Sequence, residues 1–178
     1  MANYNSAASW FLVFNHPEEY ITYKSDSNGE YIRDVNNDKI IEKTEPSEFA
    51  GLSPVEICEK ILDIWCEDSP ETKTGACAYC ISSKGLKHLH IVVEDTKTFR
   101  FSAIKQYFPR AHIEPTRGNK KEAEDYINKV GKFAEKGEEV ICIKYRGEIR
   151  GAQGKRTDLI TVEKLLEDGM HPNDILLQ

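Results

Sequence analysis

Two histidines with the spacing of a shared strand face are the first residues of this sequence that could carry chemistry. His88 and His90 flank Leu89 and lead into the apolar run 91–93. Side chains two apart in a strand point to the same side, so His88 and His90 project together while Leu89 projects into the core. Two neighbouring imidazoles form a suitable ligand pair for a divalent metal ion. Paired surface histidines that bind no metal are also common.

A tyrosine and a lysine form the second candidate pair. Residues 120–133 have the composition of a helix, with Ala123, Tyr126, Ile127 and Val130 on one side. Tyr126 and Lys129 would then share a face. A phenol, whose pKa is ordinarily about 10, needs a nearby cation to act as a nucleophile at neutral pH. A core tyrosine beside a solvated lysine would give the same spacing.

The order of predicted elements indicates the fold class. The predicted strands are 9–15, 75–81, 86–94, 111–114 and 140–145; the predicted helices begin at Ser53, Ser102, Lys120 and within the tail after Thr157. A short hairpin is predicted between Tyr31-Ile32 and Ile40-Ile41. Strands that follow one another, with helices placed irregularly between them, predict an α+β fold with a central antiparallel sheet and flanking helices.

Taken together, these motifs resemble those of HUH endonucleases, in particular the Rep proteins of circoviruses, geminiviruses and related bacterial plasmids. The first motif is the strand Phe11-Leu12-Val13-Phe14-Asn15, the second is His88-Leu89-His90, and the third is Tyr126-Ile127-Asn128-Lys129. Residues 111–119 and 151–159 also resemble segments of those proteins. The resemblance covers residues 9–16 and 75–168.

The resemblance implies a metal-dependent endonuclease that nicks and rejoins single-stranded DNA to initiate rolling-circle replication, on an RRM-like fold. Tyr126 would attack the scissile phosphate and form a 5′-phosphotyrosine bond, with Lys129 stabilising charge or orienting the nucleophile. His88 and His90 would hold Mg²⁺ or Mn²⁺. Because position 130 is Val, a single-tyrosine enzyme is implied. The DNA contacts would come from Asn15, Arg117, Lys120 and Lys132.

The resemblance also implies a domain organisation and partners. Residues 1–156 would form the nuclease domain, and residues 157–178 a helical linker toward a helicase domain that this chain lacks. The partners would be single-stranded DNA at a replication origin and a helicase, either linked or supplied by the host. The protein would work in the bacterial cytoplasm, or in the host nucleus if its replicon is a eukaryotic virus.

Composition agrees with a nucleic-acid partner inside a cell. The net charge is −6, but residues 97–156 carry +7, between acidic segments of −9 and −4. A basic middle segment can provide a local phosphate-binding face. Five cysteines, an odd number, favour a reducing compartment. No run of 18 apolar residues is present, so no membrane partner is expected.

The sequence does not determine the identity of the third metal ligand. Related proteins supply a glutamate from the strand before the histidines, where this sequence has Cys80. Glu94 lies about 13 Å beyond His90 by strand rise, which is too far. Cys80, water or another acid could complete the site. A zinc set of Cys77, Cys80 and both histidines has poor spacing, but it defines the alternative function: a non-catalytic origin-binding or zinc-stabilised DNA-binding module.

Overall fold

A five-stranded antiparallel sheet forms the centre of the protein. The structure is a computed structural model that describes residues 6–116, 118–131, 134 and 137–151. Its elements are β1 (Ser6–Asn15), β2 (Glu19–Tyr23), β3 (Ile41–Pro46), α1 (Pro54–Cys66), β4 (Lys73–Ile81), β5 (Lys87–Arg100), α2 (Phe101–Tyr107), β6 (His112–Pro115), α3 (Lys120–Asn128) and β7 (Glu139–Arg146). The strand order is β6-β1-β5-β4-β7. The predicted α+β class is therefore confirmed.

The two faces of the sheet bury different cores. Leu89, Ile91 and Val93 of β5 pack against α1 and α2 in the larger core, as strand alternation predicts. The other face packs against α3 in a smaller core that contains Val92 and Cys80. Because His88 and His90 share the face of Val92, the fold places them beneath α3. The predicted helix at Thr157 and the linker 157–178 lie outside the described residues.

Helix α1 begins where its capping sequence predicts. The Ser53 side chain accepts a hydrogen bond from the Glu56 amide, and the Glu56 carboxylate accepts one from the Ser53 amide. Pro54 occupies the first helical position, where its missing N–H is not needed. This reciprocal cap fixes the start of the helix that covers the larger core.

Ser53→Ala is expected to lower the free energy of unfolding by about 1 kcal/mol, because it leaves the Glu56 amide without its acceptor. Urea denaturation measures the change. Ser27→Ala, at an exposed position in a loop, is the matched control and should leave stability unchanged. Equal unfolding midpoints for the two variants would contradict the capping role.

The segment between β1 and α1 forms a longer ribbon than predicted. Strands β2 and β3 pair as a hairpin, and bridges Ser25–Tyr31 and Arg33–Lys39 extend beyond it. The amide of Ile40 does bond the carbonyl of Ile32, so the predicted contact exists within this larger structure. The sequence pattern did not predict the whole ribbon, because the ribbon is mostly exposed and lacks the apolar alternation of a half-buried strand.

A buried carboxylate positions the N-terminal end of α3. Glu94 is 3% exposed and accepts hydrogen bonds from the Ser9 hydroxyl at 2.6 Å and from the amides of Arg150 and Gly151 at 2.6 and 2.8 Å. A Cβ at Gly151 would lie 2.5 Å from the carbonyl carbon of Asn119, the N-cap of α3. Glu94 therefore holds the chain after β7 against the start of the helix that carries Tyr126.

Candidate metal centre and nucleophile

The two histidines are buried side by side at the start of β5. His88 and His90 are 5% and 6% exposed, and their ring centroids lie 4.9 Å apart. The Nδ1 atom of His88 lies 3.0 Å from the Leu86 carbonyl. A carbonyl can only accept, so Nδ1 carries a proton and Nε2 is the nitrogen that faces the centre of the site. A metal ion would bind His88 through Nε2.

Glu138, which immediately precedes β7, completes the site. Its Oε1 lies 2.5 Å from Nε2 of His88 and 3.3 Å from Nε2 of His90, and its side chain is 2% exposed. Burial acts to raise the pKa of Glu138, but hydrogen bonds from His88 and Lys129 outweigh it and hold the pKa below its ordinary value. The acid is therefore ionised and directed at both imidazoles. It is the other acid that the sequence left unidentified.

Cys80 occupies the position opposite His88 on the neighbouring strand. The two residues are register partners in the β4–β5 pair, and Cys80 is fully buried. Burial, and then the charge of Glu138, raise the pKa of its thiol to about 12. One ligand atom from each of Cys80, His88, His90 and Glu138 lies within 4.8 Å of every other. We call these four residues the donor cluster.

Tyr126 brings its hydroxyl to the edge of the donor cluster. The phenol oxygen lies 2.9 Å from Nδ1 of His90 and 3.2 Å from the carbonyl of Leu12. The ring stacks on Phe11 at a centroid distance of 4.2 Å and an interplanar angle of 12°. Helix α3 has a capping box, Asn119 and Glu122, that fixes its start. Packing and capping together direct the hydroxyl toward His90.

Lys129 reaches the same centre, but not from a helical turn. The prediction that the helix continues to Phe133 is wrong, since α3 ends at Asn128 and Lys129 is its C-cap with φ 56° and ψ 46°. From this left-handed conformation its Nζ lies 3.2 Å from Oε2 of Glu138 and 5.9 Å from the ring centroid of Tyr126. Val130 and Gly131, two poor helix formers, follow. The ion pair with Glu138 is possible because the helix stops here.

The environment keeps His90 neutral. Burial, followed by the charges of Lys129 and His88, lowers the pKa of His90 to about 4. A neutral imidazole retains the lone pair that a metal ion needs. His90 is therefore ready to bind a metal through one nitrogen while the other contacts the phenol.

The predicted DNA contacts differ in their relation to this centre. Asn15 is exposed and is the register partner of His88, so it lies beside the cluster on the same face. Lys120 is also exposed but sits six residues from Tyr126, about 9 Å along α3, and pairs with Glu148. Arg117 and Lys132 lie outside the described residues. The structure thus brings Asn15, but not Lys120, to the centre.

Two other sequence candidates are placed away from the centre. The Glu94 carboxylate accepts hydrogen bonds from Ser9 and two backbone amides. This placement agrees with the expectation that Glu94 lies too far from the histidines to share a metal ion. Cys77 packs on the α1 face, opposite to Cys80, so the zinc set containing both cysteines is not formed. Within the part of the chain that the structure describes, no helix is long and apolar enough to cross a membrane.

By sequence, the chain matches no model of a protein family and no curated protein.

Proposed function

We propose that this protein nicks and rejoins single-stranded DNA through Tyr126, as the first step of rolling-circle replication. The observation that carries the proposal is the 2.9 Å approach of the Tyr126 hydroxyl to His90, whose other ring nitrogen faces the Glu138 oxygen that also contacts His88. A nucleophile, a metal-ligand set and a cation, Lys129, thus meet within one buried centre. Phosphoryl transfer is accelerated when a nucleophile and positive charge are held in position around one phosphate.

The residues present suit a divalent ion. Two imidazole nitrogens from β5 and a carboxylate from the residue before β7 converge, and the second ring nitrogen of each histidine already contacts Leu86 or Tyr126. When bound, the ion would act as a Lewis acid on the scissile phosphate. Mg²⁺ or Mn²⁺ is the ion that the resemblance to Rep proteins implies.

The Tyr126 oxygen contacts one ring nitrogen and one carbonyl. With Nε2 of His90 binding a metal ion, the imidazole proton would sit on Nδ1 and be donated to the phenol oxygen. The phenol proton is directed at the Leu12 carbonyl. A hydrogen bond donated to the oxygen, and the ammonium of Lys129 near the ring, would stabilise the negative charge that develops on this oxygen during attack. His90 is in this arrangement a donor to the nucleophile rather than its base.

The chemical step conserves the number of phosphodiester bonds. The Tyr126 oxygen forms a bond to phosphorus and loses its proton to solvent, while the bond between phosphorus and the 3′ oxygen breaks and that oxygen takes up a proton. Attack by a 3′-hydroxyl on the phosphotyrosine reverses the step and rejoins the strand without a nucleotide cofactor. The lysine would stabilise the charge that develops on the phosphate.

The DNA would approach over the sheet face on which α3 packs, at the part formed by β1 and β6. Asn15 is exposed there, and His112, the register partner of Val13, is exposed on the same face. The basic segment 97–156 supplies cations for the backbone of the strand. Which bases are preferred would depend on contacts to splayed bases rather than on the phosphate centre.

A second candidate function is a metal-stabilised DNA-binding module without chemistry. The observation that favours it is Cys80, because a four-ligand site with a buried thiol is typical of structural zinc. The two functions differ in one product: only the enzyme forms a covalent bond to DNA.

Covalent capture tests the proposal. The protein is incubated with single-stranded oligonucleotides that tile the origin of its replicon and with Mn²⁺, and the products are separated on a denaturing gel. We expect an SDS-resistant protein–DNA adduct that EDTA and Tyr126→Phe both abolish. Tyr145→Phe, an exposed tyrosine on β7, is the matched control and should form the adduct. An adduct with Tyr126→Phe, or tight origin binding without any adduct, would overturn the enzymatic proposal.

A further inference from the structure

The donor cluster contains a sulfur atom that the nicking proposal does not use. Cys80 is fully buried on the α3 face and shares its strand pair with His88. Directly opposite residues of an antiparallel pair have Cβ atoms about 5 Å apart. The position of the thiol therefore follows from the register of β4 and β5, not from a flexible loop.

The four donors are close to the spacing of a tetrahedral metal site. With Zn–N distances of about 2.0 Å and a Zn–S distance of about 2.3 Å, tetrahedral ligand atoms lie about 3.3–3.6 Å apart. In the protein all four ligand atoms lie within 4.8 Å of one another. Small side-chain rotations close this difference, since the ligands already face one point from adjacent strands and from the residue before β7.

The chemistry of these donors disfavours Mg²⁺. That ion requires six oxygen ligands in a near-ideal octahedron and usually keeps several waters. Here a single residue, Glu138, supplies oxygen, and the other three donors are nitrogen and sulfur. Imidazole and thiolate are ligands of Zn²⁺ and Co²⁺.

We propose that Cys80 is a metal ligand and that the site binds Zn²⁺, or Co²⁺ in its place, in preference to Mg²⁺. The thiol loses its proton to solvent when the metal binds. Zinc in enzymes can expand to five ligands in the transition state, which is the coordination that a phosphate would need beside four protein ligands. The inference refines the metal of the proposed function but stands on the donor cluster alone.

Cobalt spectroscopy on the whole chain tests the assignment. EDTA-treated protein is titrated with Co²⁺ under reducing conditions. We expect the near-ultraviolet charge-transfer band of a cobalt–thiolate bond, lost completely in Cys80→Ser and retained in Cys142→Ser, which alters the most accessible of the five cysteines. Zn²⁺ should abolish the cobalt spectrum at one equivalent, whereas Mg²⁺ in large excess should leave it unchanged.

Three outcomes would overturn the proposal. The first is a wild-type cobalt complex with visible d–d bands but no charge-transfer band, which would give ligation by the histidines and Glu138 without sulfur. The second is a band that survives in folded Cys80→Ser and disappears in Cys142→Ser, and the third is displacement of Co²⁺ by Mg²⁺. If Cys80→Ser fails to fold, the wild-type spectrum still decides. None of these results touches the covalent adduct, so the nicking proposal fails or stands separately.

Discussion

Replacing Glu138 by Gln is expected to weaken metal binding by more than about a hundredfold and to reduce nicking at limiting metal to the same extent. Oε1 of Glu138 is the atom that both histidine Nε2 atoms approach, at 2.5 and 3.3 Å. The amide keeps the size of the side chain and removes its charge. Calorimetric titration of EDTA-treated protein gives the affinity, and single-turnover nicking gives the activity.

The neighbouring acid provides the control for this variant. Glu139 is exposed and follows Glu138 directly, so Glu139→Gln makes the same change of charge one residue away. We expect it to bind metal and nick DNA as the wild type does. Equal losses in both variants would mean that charge around β7, rather than ligation by Glu138, controls the site.

The metal-free Glu138→Gln protein is also expected to be less stable, by about 3 kcal/mol. Lys129 and Glu138 have side chains only 6% and 2% exposed, with 3.2 Å between Nζ and Oε2. Removing the carboxylate takes away an ion pair in which both side chains are buried. Urea denaturation of the double variant Glu138→Gln, Lys129→Asn should recover part of the loss. A double variant less stable than Glu138→Gln would contradict this account.

The side-chain directions that depend on local periodicity could be predicted from the sequence. Strand alternation placed Leu89 in the larger core and His88 with His90 on the opposite face. The same rule separated Cys77 from Cys80 correctly. A period of two residues fixes these directions whatever the rest of the fold does, so a local pattern was sufficient.

Residues that depend on long-range packing could not be found in this way. Glu138 lies 50 residues from His88 and 48 from His90, and in the sequence it is one of two adjacent acids with no distinguishing pattern. It reaches the histidines because β7 pairs with β4, at Cys80 and Val140. That pairing is a property of the sheet order, which periodicity does not determine.

The end of α3 also depends on tertiary contacts that the composition of the helix does not show. Composition favoured a helix to Phe133, but the backbone turns into the left-handed region at Lys129. This conformation is unfavourable for a lysine and is compensated by the buried ion pair with Glu138. Tertiary contacts therefore overrode helix propensity.

Lys129→Asn, which removes this ion pair, is expected to bind metal about tenfold more tightly and yet nick DNA about a hundredfold more slowly. The ammonium occupies Oε2 of Glu138 and repels a divalent ion, so its removal strengthens metal binding. The same charge is proposed to stabilise the phenolate and the phosphate under attack. Asparagine tolerates the left-handed conformation well, so the backbone at position 129 should not be disturbed.

A gain in metal affinity together with a loss of nicking rate would distinguish a role of Lys129 in catalysis from a role in positioning Glu138. Metal affinity is measured by Co²⁺ titration, and nicking by single-turnover assays at saturating metal. Lys129→Arg keeps the positive charge and should show neither the gain in affinity nor the full loss of rate. If metal affinity and rate instead fall together in Lys129→Asn, the lysine holds Glu138 in place for the metal. The charge of Lys129 would then have no separate part in the attack by Tyr126.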